Sequence, residues 1–140
     1  MPDNRLYLPE GLKPVPEFTI SMLKEAIENG EIHEAVPKRC DVDHRLFFQL
    51  NGISAVMKHD QVNAPWISGA NRTISVISRV GKQTCFTVSE VVSDEKGAPV
   101  AVLSRKNAQE KVMQVFLETL KPGTVLTCCV THMESFGVFL

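Results

Sequence analysis

Four cysteines and four histidines are the side chains of this 140-residue chain best suited to bind a metal or attack a substrate. Their spacing serves neither purpose. Cys40, Cys85, Cys128 and Cys129 form no Cys-x-x-Cys pair. Cys128 and Cys129 are neighbours in an apolar stretch, so on a strand they point to opposite faces. That pattern suits neither zinc nor a disulfide framework, and buried, reduced thiols are expected. His33, His59 and His132 lack partners at metal or catalytic spacing and read as surface or strand residues. Asp41 and Asp43 read as a turn rather than an acid pair. There is no nucleophile elbow, phosphate loop or zinc signature. The expectation is a protein that is not an enzyme and that holds no metal and no cofactor.

The other chemistry open to the chain is aromatic. Its last residues are Phe136-Gly137-Val138-Phe139-Leu140. On a strand, Val138 and Leu140 share one face and Phe139 takes the other. If the aliphatic pair faces a core, Phe139 faces outward. Phe136 falls on the inner face unless a bulge or turn at Gly137 redirects it. A second aromatic cluster, Phe47-Phe48, has one ring for each face, and one of the two must fill the core.

The elements that would position these rings follow from periodicity. Residues 1–30 read as a proline-rich arm and one short amphipathic helix over about 20–28, capped by Thr19 or Ser21 and stopped by Gly30. From residue 31 to 104 the period is two. "IHEAVPKRCDV", "RLFFQL", "ISAVMKH", "RTISVISRV", "KQTCFTVSEVVS" and "APVAVLSRK" read as short strands, with Asn51-Gly52 marking a hairpin. Residues 63–70 read as a longer loop that Trp66 packs onto the sheet. Residues 105–121 read as a second, linking helix, with Ser104 as its cap and Pro122-Gly123 as its stop. Residues 122–140 return to strand character but are too few to enclose a core. Strands without intervening helices point to a mainly β fold, a small antiparallel barrel or sandwich.

Composition narrows the class. The chain is 44% hydrophobic and 22% charged, as globular domains are. No apolar run approaches the roughly 18 residues needed to cross a bilayer, and the N-terminus lacks the apolar region of a signal peptide. A cytoplasmic protein with no membrane partner is expected. The net charge of −1 argues against a strongly basic DNA binder, but leaves room for single-strand binding by stacking.

"LKPGTVLTCCVTHMESFGVFL" resembles the opening of the RNA-binding barrel family named after small-subunit ribosomal protein S-one, a variety of the five-stranded oligonucleotide-binding fold. The match falls on Leu120, Gly123, Phe136, Gly137 and Phe139. Upstream, "NGISAVMKHDQV" and "VGKQTCFTVSEVVSDEKGAPVAVLSRKNAQ" are similar to segments inside and at the close of such a barrel. Setting "KRCDVDHRLFFQL" beside "TCCVTHMESFGVFL" places Phe139 92 positions after Phe47, as two copies of one module would. The resemblance implies a five-stranded antiparallel barrel with flanking helices over residues 31–104, divergent from the family pattern. A helix over 105–121 then leads to the shortened start of a second barrel at 122–140.

The resemblance also implies a function. Such barrels offer single-stranded RNA a curved face on which bases stack against exposed rings while Lys and Arg hold the phosphates. By the family pattern, Phe136 and Phe139 contact RNA in the second unit. His44 and Phe47 take those places in the first. Lys58, Arg45 and Arg105 are the foremost phosphate contacts among a basic set that also includes Lys38, Arg39, Arg72, Arg79, Lys82 and Lys106. The implied partners are messenger RNA and proteins of the small ribosomal subunit. The alternative is a protein–protein docking module, anchoring to the ribosome without touching RNA. Residues 122–140 are expected to pack on the first module or on a neighbouring chain, since an exposed apolar edge invites pairing.

Overall fold

The computed structural model describes residues 8–67 and 72–140. Its centre is the hairpin of β3 (Leu46–Leu50) and β4 (Ile53–Met57), paired from Leu46↔Met57 to Leu50↔Ile53. Leu46, Phe48 and Leu50 point inward and are buried, while Gln49 is exposed on the other face. Asn51 and Gly52 make the turn with φ of 53° and 87°, the left-handed pair that two-residue hairpins require. The Asn51 side chain does a second job: its Oδ1 accepts the Phe18 N–H at 2.6 Å and pins the chain before α1.

The strand order is β1-β5-β6-β4-β3-β2, with β1 at Ile32–Ala35, β2 at Arg39–Cys40, β5 at Thr84–Ser93 and β6 at Pro99–Ser104. All neighbours are antiparallel except β4 and β6, which run parallel. β1 and β2 are joined by residues 36–38 alone, yet they occupy opposite ends of this order. The sheet therefore curls into a half-barrel whose outer strands, β1 and β2, are linked at that corner. Pro37, fully buried, forms the corner. It has no N–H to add to a ladder, so the single strand expected over "IHEAVPKRCDV" breaks into two short pieces with different neighbours. A register shift between Val88 and Glu90 adds a bulge that bends β5 with the curve.

The protein is thus mainly β, as expected, but its sheet is six-stranded and mixed rather than five-stranded and antiparallel. A second difference lies in "RTISVISRV". Its β-branched residues suggested a strand, whereas Thr73–Ile77 is a short helix, α2. Val76 enters the core from this helix and Val80, in the turn after it, packs against the same core, so burial decides the outcome over local propensity. The stretch 68–71 of the expected loop lies outside the described residues. Trp66, expected to pack that loop down, is half exposed.

α1 (Ile20–Asn29) begins at Thr19, whose Oγ1 accepts the Met22 N–H at 3.2 Å, and ends at Gly30 in the left-handed conformation. It buries Leu23 and Ala26 against the core, which centres on Phe48 and Phe86, 5.9 Å apart between ring centroids. α3 (Arg105–Thr119) begins at Ser104, whose Oγ accepts the Asn107 N–H at 3.0 Å. Lys111 of α3 donates to the Gly30 carbonyl and ties the two helices together.

The described part of the arm is strapped down by two carboxylates. Glu34, on β1 and buried, accepts from Gly11 N and Lys13 N at 3.1 and 3.3 Å and from Gln83 Nε2 at 2.7 Å. Glu10, on the arm, accepts from Cys85 N at 2.8 Å and from Arg105. Past α3, β7 (His132–Glu134) and β8 (Gly137–Phe139) form a separate two-stranded sheet. Nearly every residue from 122 to 140 is exposed. Among the described residues no helix is long and apolar enough to cross a membrane.

Candidate nucleic-acid interface

The outward face of β2, β3 and β4 gathers the aromatic and cationic side chains. Alternation sends Phe47 outward between buried Leu46 and Phe48, and the register places it beside Arg39 on one strand and Val56 on the other. The Arg39 guanidinium carbon lies 3.9 Å from the Phe47 ring centroid. The Arg45 guanidinium carbon lies farther off, at 5.6 Å. Phe47 is half-buried under these two cations.

The loop between β2 and β3 sets the rim. Asp41 Oδ1 accepts the N–H groups of Asp43 and Arg45 at 3.1 and 2.8 Å, so the two aspartates do form a turn. The Arg45 side chain returns to Asp41 Oδ2 at 2.8 Å and approaches Asp43 at 3.7 Å. The backbone hydrogen bond from Arg45, ahead of the Arg45 charge, holds the Asp41 carboxyl below its ordinary range. His44 closes the loop with φ of 59°, a conformation that costs a non-glycine residue energy and that is common at binding sites. Its ring lies 5.8 Å from that of His59, which begins the short 3-10 turn after β4. Exposed Lys58 directly precedes His59. His44, Arg45, Phe47 and Lys58 are therefore brought to one region.

Arg105 is not part of it. It is only 9% exposed and grips Glu10 through Nε at 2.8 Å and Nη2 at 2.6 Å. Its Nη1 donates to the Val62 carbonyl at 3.1 Å and to Asn63 Oδ1. The expected phosphate contact is instead a buried strut, and Arg79 shares it, 3.1 Å from Glu10. Burial works to raise the Glu10 pKa, but Arg105 and the Cys85 N–H overcome it and bring it down to about 2.

Phe136 and Phe139 stand apart on the β7–β8 hairpin, 81% and 51% exposed, with ring centroids 6.4 Å apart. They meet because Ser135 and Phe136 form the hairpin turn, not through a bulge at Gly137, which pairs regularly with Glu134. Phe139 also lies 5.9 Å from His132. Val138 is as exposed as Phe139, so no core separates an inner from an outer face here. The two hairpins share a detail: Lys38 N–H donates to the Phe47 carbonyl at 2.7 Å, and Thr131 N–H to the Phe139 carbonyl at 2.9 Å. Leu126, Thr127, Cys128, Cys129, Thr131 and Leu140 line a groove of about 630 Å³ together with Pro9, Trp66, Val112 and Phe116. The tail thus flanks the first module without being buried on it.

The thiols do not behave as one group. Cys128 and Cys129 are exposed, contrary to expectation, because β7 and β8 have no sheet to cover the chain before them. Burial pushes the Cys85 thiol well up, reinforced by Glu10, and leaves it a poor nucleophile. Among the described residues no three His, Cys, Asp or Glu side chains are placed to hold a metal ion.

Sequence reasoning named Arg39 only as one of many cations. The signal that singles it out is register: once the hairpin is drawn, Arg39 and Phe47 are cross-strand partners on the outward face. No protein-family model matches the chain, and no curated protein matches it either.

Proposed function

We propose that residues 31–104 form a divergent oligonucleotide-binding barrel of the S-one type that binds single-stranded RNA. In this reading the protein is cytoplasmic, is not an enzyme, and helps hold messenger RNA on the small ribosomal subunit. The carrying observation is the contact of Arg39 on β2 with Phe47 on β3, beside the loop 41–45. If β1 and β2 are counted as the two halves of one bent strand, β3 and β4 become the second and third strands of a five-stranded barrel. In oligonucleotide-binding barrels that face, with the loops joining strands one to two and four to five, is where nucleic acid lies. The loop joining β5 to β6, residues 94–98, is the fourth-to-fifth connection. The β7–β8 hairpin, with Phe136 and Phe139, is proposed as the opening of a second such unit.

Near-neutral charge fits modest affinity that depends on stacking as much as on phosphate contacts. The test is fluorescence anisotropy with a labelled pyrimidine-rich RNA of about a dozen nucleotides. Micromolar, salt-sensitive binding is expected, and Phe47→Ala should weaken it about tenfold, the scale of one lost base stack. Binding unaffected by Phe47→Ala would remove this face from the reading.

A protein-docking module is the second reading. The observation favouring it is the run of exposed apolar side chains on the hairpin, including Met133, Val138 and Phe139. Absence of RNA binding, together with salt-insensitive association with small-subunit proteins, would select it.

A further inference from the structure

Resting on the RNA-binding reading, we propose that Arg39, held over the Phe47 ring, is the surface on which an unpaired nucleobase stacks, and that Phe47 serves as its support. At 3.9 Å between guanidinium carbon and ring centroid, the two groups are already in contact. A base has no room between them. Phe47 is half-buried on β3, between β2 and β4, and Arg39 is the nearer of the two cations that lie over its ring.

The two arginines beside Phe47 differ in what they can still bind. Arg45 is tied to Asp41 at 2.8 Å and lies near Asp43, so its charge is already met by carboxylates. Arg39 is exposed, and among the described residues no carboxylate pairs with it. A guanidinium is planar, with two π-faces and five N–H donors around its edge. Arg39 lies over the ring and is exposed to solvent. In the proposal its plane accepts a base, and its N–H donors reach the adjoining phosphate. The ligand class is therefore a single-stranded nucleotide unit, read through base plane and phosphate together. Lysine could supply the charge but not the plane.

The experiment compares a base-bearing single-stranded RNA with an abasic strand of equal length and charge, by anisotropy at fixed salt. The wild type should prefer the base-bearing strand about tenfold. Arg39→Lys should bring that preference close to unity while leaving the abasic affinity within about twofold. Phe47→Ala should also abolish the preference, and the double variant should lose nothing further, because support and platform act as one unit. Arg39 is exposed on a two-residue strand, so thermal melts should show Arg39→Lys folded like the wild type. If Arg39→Lys keeps the preference while Phe47→Ala loses it, the ring itself is the platform and the inference fails. If the wild type binds neither strand, the RNA-binding reading falls and this inference falls with it.

Discussion

Arg105 and Glu10 stand 95 positions apart in the chain and meet through two hydrogen bonds, Nη2 to Oε1 at 2.6 Å and Nε to Oε2 at 2.8 Å. This pair joins the start of α3 to the N-terminal arm, and Arg79 leans on the same carboxylate at 3.1 Å. A carboxylate so placed makes stability depend on pH. Its pKa falls from 4.5 to about 2 on folding, so the folded state favours the ionised form. The contribution is fully present above pH 4.5 and is lost as pH drops toward 2. At about 1.4 kcal/mol per pKa unit, it is on the order of 3 kcal/mol. Urea melts should show wild type exceeding Glu10→Gln by roughly that amount at pH 7, with the gap closing between pH 4.5 and 2. A gap that stayed constant through that range would refute the assignment.

Asn51 supports two different predictions through its backbone and its side chain. Its φ of 53° favours glycine, and its Oδ1 holds the Phe18 N–H at 2.6 Å. Asn51→Gly keeps the turn and loses the hydrogen bond, at a cost of about 1 kcal/mol. Asn51→Ala loses the bond and adds left-handed strain, for about 2 kcal/mol in all. Thermal melts should rank the variants in that order, and equal losses would mean the turn tolerates a Cβ freely.

Phe47 and Phe48 are neighbours with opposite fates. Phe48 is 1% exposed and packs on Phe86, so Phe48→Ala should cost about 3–5 kcal/mol. Phe47 touches Arg39 and is half-buried, so Phe47→Ala should cost about 1 kcal/mol and act chiefly on binding. Denaturant melts of the two variants check this directly. A comparable loss for both would make Phe47 a core residue and not a binding one.

The contrast between these residues shows what local pattern carries. Period two in "RLFFQL" and "ISAVMKH", with Asn51-Gly52 between, sufficed to place the β3–β4 hairpin and to send Phe47 and Phe48 to different faces. The helix cap at Ser104 was equally local and equally legible, while Thr19 was one of two candidates with Ser21 until the structure chose it. Pro37 was visible as a residue but not as a corner, since breaking a strand matters only once both halves have neighbours. α2 was misread because β-branched side chains fit either structure and the core beneath Val76 decides. Glu10 gave no signal, for its partners lie at residues 79, 85 and 105. Arg105 looked like any surface cation until burial placed it on that carboxylate. Short-range physics was readable, and pairings set by the curl of the sheet were not.

The β7–β8 hairpin yields the last prediction. Met133 and Val138 are cross-strand partners, 72% and 52% exposed, in a sheet of only two strands. Two strands alone are marginal in water, and each edge offers unpaired N–H and C=O groups. Amides of β7 and β8 should therefore exchange far faster than those of β5 and β6, which have neighbours on both sides. The exposed apolar pair should also draw chains together. Light scattering should show the mean mass rising with concentration in the wild type, and Met133→Lys with Val138→Lys should abolish the rise by placing like charges opposite each other. Because the hairpin contributes no buried side chain to the core, the same double variant should leave the main thermal transition within about 0.5 kcal/mol of wild type. A large drop in that transition would mean the hairpin is part of the folded unit and not an appendage to it.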